Sequence, residues 1–292
     1  MVRRHDPLFQ RRRLRSELRR LRVRRGVTQK AAAQDLEWSP SKLVRIETGV
    51  VGISLTDLRA LLAYYGVTDN NQIGDLVEAA RDSRKPAWWS QYKDLLDPRF
   101  LELLSYENSA SVIRDFNPLL LPGLMQTEDY ARALIKEQVD VSPSVEERLV
   151  QARLERQKLI YSDERPEMFF ILDEAVLRRS IGGRDAMVRQ TQHLRNLAEL
   201  PRVHIQLVSF DVGAYSGLWG PFVIFDLTDD RYDDLTESEF LVFLENSGGD
   251  YLFRDDPQQS SRYVERFIRL EEIATPKVDI FNLLDDAISR LA

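Results

Sequence analysis

The stretch LEWSPSKLVRIETG, residues 36–49, contains the start and stop signals of one short helix. Ser39 suits the N-cap, where a hydroxyl can accept a hydrogen bond from a free backbone N–H. Pro40 suits the first helical position, where its missing N–H costs nothing. Gly49 suits the left-handed residue that commonly ends a helix. The pattern therefore predicts a helix over residues 40–48.

The predicted helix has two different sides. Leu43 and Ile46 lie three residues apart, so they share one side and face a core. The remaining surface is mostly polar and carries the side chains of Ser41, Lys42, Arg45 and Thr48. A side of this composition is either hydrated or in contact with a polar partner, and the surrounding sequence must distinguish the two.

Charge is distributed unevenly along the chain. Residues 1–66 hold 15 Lys and Arg against 6 Asp and Glu, a net charge of +9. The other residues hold 26 against 41, a net charge of −15, which together make the whole-chain value of −6. Such an asymmetry suggests that the basic part meets a polyanion.

The composition is that of a soluble globular protein with two domains: 292 residues, 43% hydrophobic and 30% charged. The absence of cysteine excludes disulfides and thiolate metal sites and fits the cytoplasm. The basic N-terminus lacks the apolar stretch of a secretory signal. The longest apolar run, near PLLLPGLM, is too short to span a membrane.

Helical patterns dominate the first 85 residues. Besides the helix over 40–48, apolar spacing and caps predict helices in RRRLRSELRRLRVRRG, VTQKAAAQDL, SLTDLRALLAYYG and NQIGDLVEAARDSRK. In the first of these, Leu14, Leu18 and Leu21 form one apolar stripe. The five helices predict one small all-α domain over residues 1–85, and the short turn between its second and third helices is the geometry of a helix-turn-helix.

Strand-like runs appear only in residues 86–292. They are ASVIRDF, EMFFILD, RVHIQLVSF, GPFVIFDL and SEFLVFLE. A helix of about 15 residues between the second and third runs predicts a parallel pair. The last two runs, separated by TDDRYDDLTE, predict an antiparallel hairpin. We therefore expect a mixed α/β domain with a four- or five-stranded sheet, and an α+β chain overall.

The segment LRRLRVRRGVTQKAAAQDLEWSPSKLVRIETG resembles the DNA-binding domain of the phage-repressor (Cro/cI, xenobiotic-response-element, XRE) family. The resemblance covers about residues 11–67 and implies double-stranded DNA as a partner. It implies that Gln29 holds a phosphate and that Arg45 reads a guanine. The full set of DNA contacts that it implies is Thr28, Gln29, Ser39, Pro40, Ser41, Lys42 and Arg45.

The same resemblance implies that Glu47 is no contact residue but a structural one, paired with Arg22. Two positions depart from the phage repressors. Glu37 stands in the turn where they often carry glycine, which raises the question of how strain is avoided there. Ala32 stands where they often carry leucine, which leaves space that the bulky Trp38 can fill.

The segments NPLLLPGLMQTEDYARAL, RLERQ, FFILDEAVLRRSIGG, SGLWGPFVIFDL and LVFLE resemble the C-terminal domain of actinobacterial antitoxin-like transcriptional regulators. The resemblance spans about residues 90–290. It implies a domain that binds a small companion protein encoded nearby. Two loops with apolar and flexible residues suggest the contact residues Leu121, Met125, Tyr130 and Trp219.

A ligand-sensing repressor is the alternative and would need a small-molecule pocket in the second domain. An enzyme is not expected, because no nucleotide, zinc-protease or nucleophile-elbow motif occurs and the three histidines are scattered. We expect no cofactor or metal and no membrane association. Since one helix-turn-helix reads about half a site, we expect a homodimer.

Overall fold

The computed structural model of the chain describes residues 7–137, 142–227, 240–245, 251–253 and 257–291. The chain divides into two compact units. The first comprises the described residues up to Ser90, and the second comprises those from Gln91 onwards.

Residues 7–90 form five α-helices, as the sequence predicts. They are α1 (Pro7–Arg24), α2 (Gln29–Asp35), α3 (Pro40–Glu47), α4 (Leu55–Tyr64) and α5 (Asn70–Asp82). Side chains cap three of them, since Thr28, Ser54 and Asp69 accept hydrogen bonds from the first turns of α2, α4 and α5. These bonds satisfy N–H groups that a helix start leaves free.

A single apolar cluster holds the first unit together. Leu14, Leu18 and Leu21 of α1 pack with Leu43 and Ile46 of α3. Other buried leucines come from α4 and α5: Leu58, Leu61, Leu62 and Leu76. Complete burial of one leucine contributes about 1.5–3 kcal/mol. The cluster therefore fixes which side of α3 faces outward.

The second unit is built on a six-stranded mixed sheet. Its strands are β1 (Val112–Asn117), β2 (Glu167–Asp173), β3 (Val203–Val208), β4 (Phe222–Asp226), β5 (Phe240–Leu244) and β6 (Tyr251–Phe253), in the order β3-β2-β1-β4-β5-β6. β1, β2 and β3 are mutually parallel, whereas β4, β5 and β6 join through antiparallel pairs. The α+β class is thus confirmed.

The predicted parallel pair and the predicted hairpin are both present, as β2 with β3 and β4 with β5. The expected number of strands is too low by one. β6 has only three residues, fewer than a strand pattern in the sequence needs. The acidic turn over residues 228–237 lies outside the described residues.

Helices cover both faces of the sheet. They are α6 (Pro98–Ser109), α7 (Glu128–Lys136), α8 (Pro143–Gln157), α9 (Ala175–Arg178), α10 (Arg184–Ala198), α11 (Pro257–Ile273) and α12 (Ile280–Leu291). The larger core joins one face to helices that include α7, α10 and α12. The smaller core joins the other face to Phe267 and Leu270 of α11. No helix in the described part of the chain is long and apolar enough to cross a lipid bilayer.

Candidate nucleic-acid interface

The outward side of α3 carries most of the DNA contacts that the sequence led us to expect. Leu43 is fully buried and Ile46 is 5% exposed, so the other side of the helix points to solvent. The exposed residues on and next to α3 are Ser39, Pro40, Ser41, Val44, Arg45 and Thr48. This side therefore combines hydroxyls, a guanidinium and two apolar side chains.

The two ends of α3 differ in how well they match the predicted capping. Gly49 has a φ of +79°, the left-handed conformation that its position was predicted to require. Ser39 has the extended backbone of an N-cap, but its side chain makes no capping hydrogen bond. Its Oγ instead lies 3.4 Å from the Oγ of Ser41. The prediction of a side-chain cap is therefore wrong, and the hydroxyl stays at the surface.

The turn before α3 contains backbone strain. Glu37 has a φ of +58°, which costs a residue with a side chain about 1 kcal/mol or more. Backbone hydrogen bonds from Glu37 N to Gln34 O (3.0 Å) and from Trp38 N to Ala33 O (2.7 Å) hold the turn. Trp38 is half-buried and packs against the core cluster to which the fully buried Ala32 belongs. The turn therefore accepts the strain instead of avoiding it.

Lys42 is placed differently from the expectation. Its Nζ donates to Asp57 Oδ1 of α4 at 2.7 Å and lies 3.9 Å from the ring centroid of Trp38. Burial tends to raise the pKa of Asp57, but hydrogen bonds with Lys42 and Ser54 bring it below its ordinary value. An acid and an aromatic ring thus hold Lys42, and a contact with a base would have to displace this partly exposed ion pair.

Glu47 joins the first three helices. Its carboxylate accepts hydrogen bonds from Arg22 Nε (2.7 Å) and Nη2 (3.0 Å), which form a two-pronged ion pair between α1 and α3. Gln29 Nε2 of α2 donates to the same carboxylate at 2.7 Å. Glu47 is 6% exposed, and its hydrogen bond raises the pKa of Arg22. This buried contact holds α3 in place, as the predicted Arg22–Glu47 pair requires.

The contact with Glu47 also limits what Gln29 can do. One amide N–H of Gln29 is used inside the unit, so one N–H and the carbonyl oxygen remain for an outside partner. The hydroxyl of Thr28 accepts from Ala31 N at 3.1 Å, so its oxygen serves as the cap of α2. Both side chains thus have structural duties in addition to their expected contacts.

A cleft of about 510 Å³ opens where α1, α2 and α3 meet. Its lining includes Arg19, Gln29 and Thr48. Arg19 is exposed, and Arg15 Nη1 donates to the carbonyl oxygen of Thr48 at 3.1 Å. These two arginines and Val44 are candidate contact residues that the sequence pattern did not indicate. Arg19 and Val44 are exposed and Arg15 is partly exposed, which can be seen only once the core is known.

Three of the four expected partner contacts in the second unit are interior residues. Leu121 is 1% exposed, and Met125 and Tyr130 are fully buried. The hydroxyl oxygen of Tyr130 accepts a hydrogen bond from Leu121 N at 3.2 Å within the core. Assigning these three as partner contacts is therefore wrong. Trp219, in contrast, is 87% exposed.

The described titratable groups of the second unit include two histidines and a buried ion pair between Arg156 and Glu107. Burial lowers the pKa of His193, and its Nε2 makes no hydrogen bond. His204 lies on β3, with its Nε2 2.6 Å from Glu167 Oε1. Among the described residues, no group of three or more His, Asp and Glu is arranged to hold a metal ion.

Two family models match the chain. Residues 13–72 match a helix-turn-helix domain, and residues 100–286 match a domain of unknown function, DUF5753. Comparisons with curated proteins and with solved structures returned no match. The helix-turn-helix match indicates a DNA-binding regulator rather than an enzyme. Since the second match covers more than half of the residues, the chain belongs to the DUF5753 family and carries a helix-turn-helix domain before it.

Proposed function

We propose that this protein is a sequence-specific, antitoxin-like transcriptional regulator of the XRE type that acts as a homodimer in the cytoplasm. Residues 1–85 bind double-stranded DNA, and residues 86–292 form a regulatory part that binds a small companion protein. The observation that carries the proposal is the outward side of α3, which the buried Arg22–Glu47 pair holds rigidly. A rigid helix with exposed donors suits the major groove.

Arg45 is the residue that we assign to base reading. It is exposed, and no ion pair in the described part of the chain engages it. A guanidinium donates two parallel hydrogen bonds to the O6 and N7 of guanine, worth about 1–3 kcal/mol of discrimination. Ser39 and Ser41 add hydroxyls on the same side. Lys42 is left out because Asp57 holds it.

Phosphate contacts are assigned to the residues around the cleft. Arg19 is exposed there, and Gln29 keeps one free amide N–H. Such contacts position the protein on the duplex without reading its sequence. The net charge of +9 over residues 1–66 supports attraction to the phosphates.

The test begins with the selection of bound sites from a random duplex library by the full chain. Arg45→Ala should lower affinity by roughly 5- to 150-fold at the preferred site, the factor for about 1–3 kcal/mol, and relax the preference for one guanine. Gln29→Ala should weaken all sequences evenly. Arg81→Ala, which removes an exposed arginine of α5, is the control. Unchanged affinity and preference with Arg45→Ala would show that α3 does not read DNA.

The homodimer has its own test. Two copies should bind one duplex whose half-sites are related by two-fold symmetry and lie roughly 34 Å, one helical turn, apart. Analytical ultracentrifugation of the chain with a selected duplex gives the stoichiometry. A single copy on an asymmetric site would contradict the dimer.

The companion protein is assigned to one edge of the sheet. Phe116 at the end of β1 pairs with Phe222 at the start of β4, so the loops beyond these two residues leave the same edge. These loops carry the exposed apolar residues Leu119, Leu120, Leu218 and Trp219. An exposed tryptophan among apolar neighbours is typical of a residue that dominates a protein interface.

Co-purification with the products of adjacent genes tests this part of the proposal. Trp219→Ala should weaken capture of the companion roughly thirtyfold or more, because such residues contribute about 2 kcal/mol or more. Tyr161→Ala, which removes an exposed aromatic residue of the same unit outside these loops, should leave it unchanged. Equal capture by both variants would remove Trp219 from the interface.

One observation favours the alternative of a ligand-sensing repressor. A cleft of about 510 Å³ near the same edge is lined by Leu119, Leu120, Arg179, Ser180 and Ile181. This lining suits a small apolar molecule with an anionic group. The alternative predicts that such a molecule changes DNA affinity without any companion protein. The companion model predicts that only the protein partner does so.

A further inference from the structure

Val44 is an exposed valine in the middle of α3. Its neighbour Leu43 is fully buried, whereas 39% of Val44 is exposed. Val44 is not among the apolar residues that pack against the core of the first unit. Its carbonyl oxygen accepts a hydrogen bond from Thr48 Oγ1 at 2.8 Å, but its side chain has no such role.

Folding gives no reason for a valine at this position. A β-branched side chain loses rotamer freedom in a helix, and alanine or a long polar residue is preferred there. Burial offsets little of this entropy loss for an exposed valine, since much of its surface stays in water. A residue of this kind on a side that we assign to DNA suggests a contact made only in the complex.

The exposed side of α3 is divided into two flanks. With a rotation of about 100° per residue, Pro40 and Val44 lie on one flank and Arg45 on the other. Ser41 and Thr48 lie between them. Lys42, beyond Arg45, is held by α4. The side therefore presents an apolar flank beside a guanidinium.

Base edges in the major groove match these two flanks. Guanine offers two acceptors to arginine, and thymine alone offers an apolar group, its 5-methyl. Resting on the proposed DNA-binding function, we propose that Val44 contacts the 5-methyl group of a thymine beside the guanine that Arg45 reads. Since the two residues are consecutive and base pairs rise 3.4 Å, the thymine lies within about two base pairs of that guanine.

Deoxyuridine gives a direct test, because it differs from thymidine only by the missing methyl group. In a duplex selected by the full chain, each thymine is replaced in turn and the dissociation constant is measured. For the wild-type protein, replacing one particular thymine in each half-site should lower the affinity for the duplex about fourfold. This is the factor that corresponds to burying one carbon group of that size. With Val44→Ala, the same replacement should have no effect.

Val50→Ala is the matched control. Val50 is also an exposed valine of the first unit, 67% exposed, but it follows α3 in the next loop. This variant should keep the wild-type response to deoxyuridine. The inference is overturned if no thymine responds within two base pairs of that guanine, or if the response persists in Val44→Ala. If the wild-type chain selects no sequence at all, both the proposed function and this inference are wrong.

Discussion

The buried carboxylate of Glu47 gives the sharpest prediction about stability. Glu47→Ala removes the acceptor of three hydrogen bonds, two from Arg22 and one from Gln29. Arg22 then keeps only its bond from Nη1 to the carbonyl oxygen of Val27, at 3.0 Å. The variant therefore leaves a mostly buried guanidinium without its counter-charge.

The expected loss of unfolding free energy depends on how exposed Glu47 and Arg22 are. Breaking a fully buried pair by removing one partner costs about 3–5 kcal/mol. The side chain of Glu47 is 2% exposed, but that of Arg22 is 13% exposed and regains some hydration. We therefore expect a loss near the lower end, about 3 kcal/mol. Glu47→Gln keeps the shape but removes the charge, and it should cost about 1–2 kcal/mol.

Hydrogen exchange followed by mass spectrometry measures this loss in the full chain, because peptides from α1 to α4 report on the first unit alone. Lys85→Ala is the control, since Lys85 forms a 2.6 Å ion pair with Asp82 in the same unit but is 56% exposed. That variant should change the opening free energy by about 0.5 kcal/mol or less. A loss below about 1 kcal/mol for Glu47→Ala would refute the reasoning, since only exposed pairs behave so.

Three further predictions concern the second unit, each read from urea unfolding of the full chain. Glu107→Ala leaves the buried Arg156 unpaired and should cost about 3–5 kcal/mol, whereas a loss under about 1 kcal/mol would mean that water replaces the carboxylate. Burial raises the pKa of Asp115 to about 8, so this carboxyl keeps a proton in the folded state that it loses near pH 4 in the unfolded state. Its contribution to stability therefore falls between about pH 4 and 8, and the gain from Asp115→Asn should be larger at pH 8 than at pH 5. An equal gain at both pH values would contradict the shift. Gly217→Ala would put a Cβ 2.3 Å from the ring of Phe116 and should cost about 1–3 kcal/mol, and an unchanged midpoint would show that the loop relaxes freely.

Prediction from sequence worked best where the signal is local. Ser39, Pro40 and Gly49 mark the ends of α3, and the backbone at these positions has the expected conformations. Runs of five to seven mostly apolar residues revealed β1 to β5. These features depend on backbone preference and on periodicity, which neighbouring residues set between themselves.

Prediction failed where a contact joins residues far apart in the chain. Leu121 and Met125 stand in a loop with proline and glycine that looks exposed, and Tyr130 follows on α7, yet all three are buried in the core. Leu119 and Leu120, next to them, are the exposed ones. The local sequence does not show whether an apolar side chain in a loop points into the core or into solvent. The orientation of such a side chain depends on which helices and strands pack over the loop.

The sequence by itself determined the five helices, the polar residues on the outward side of α3, the α+β class and the family resemblance of the first unit. Only the tertiary structure decided that Asp57 holds Lys42, that Gln29 shares Glu47 with Arg22, and that Val44 faces outward. The reason is physical. Helix ends and periodicity depend on a few adjacent residues, whereas the partner of a side chain depends on packing between elements that are distant in the chain.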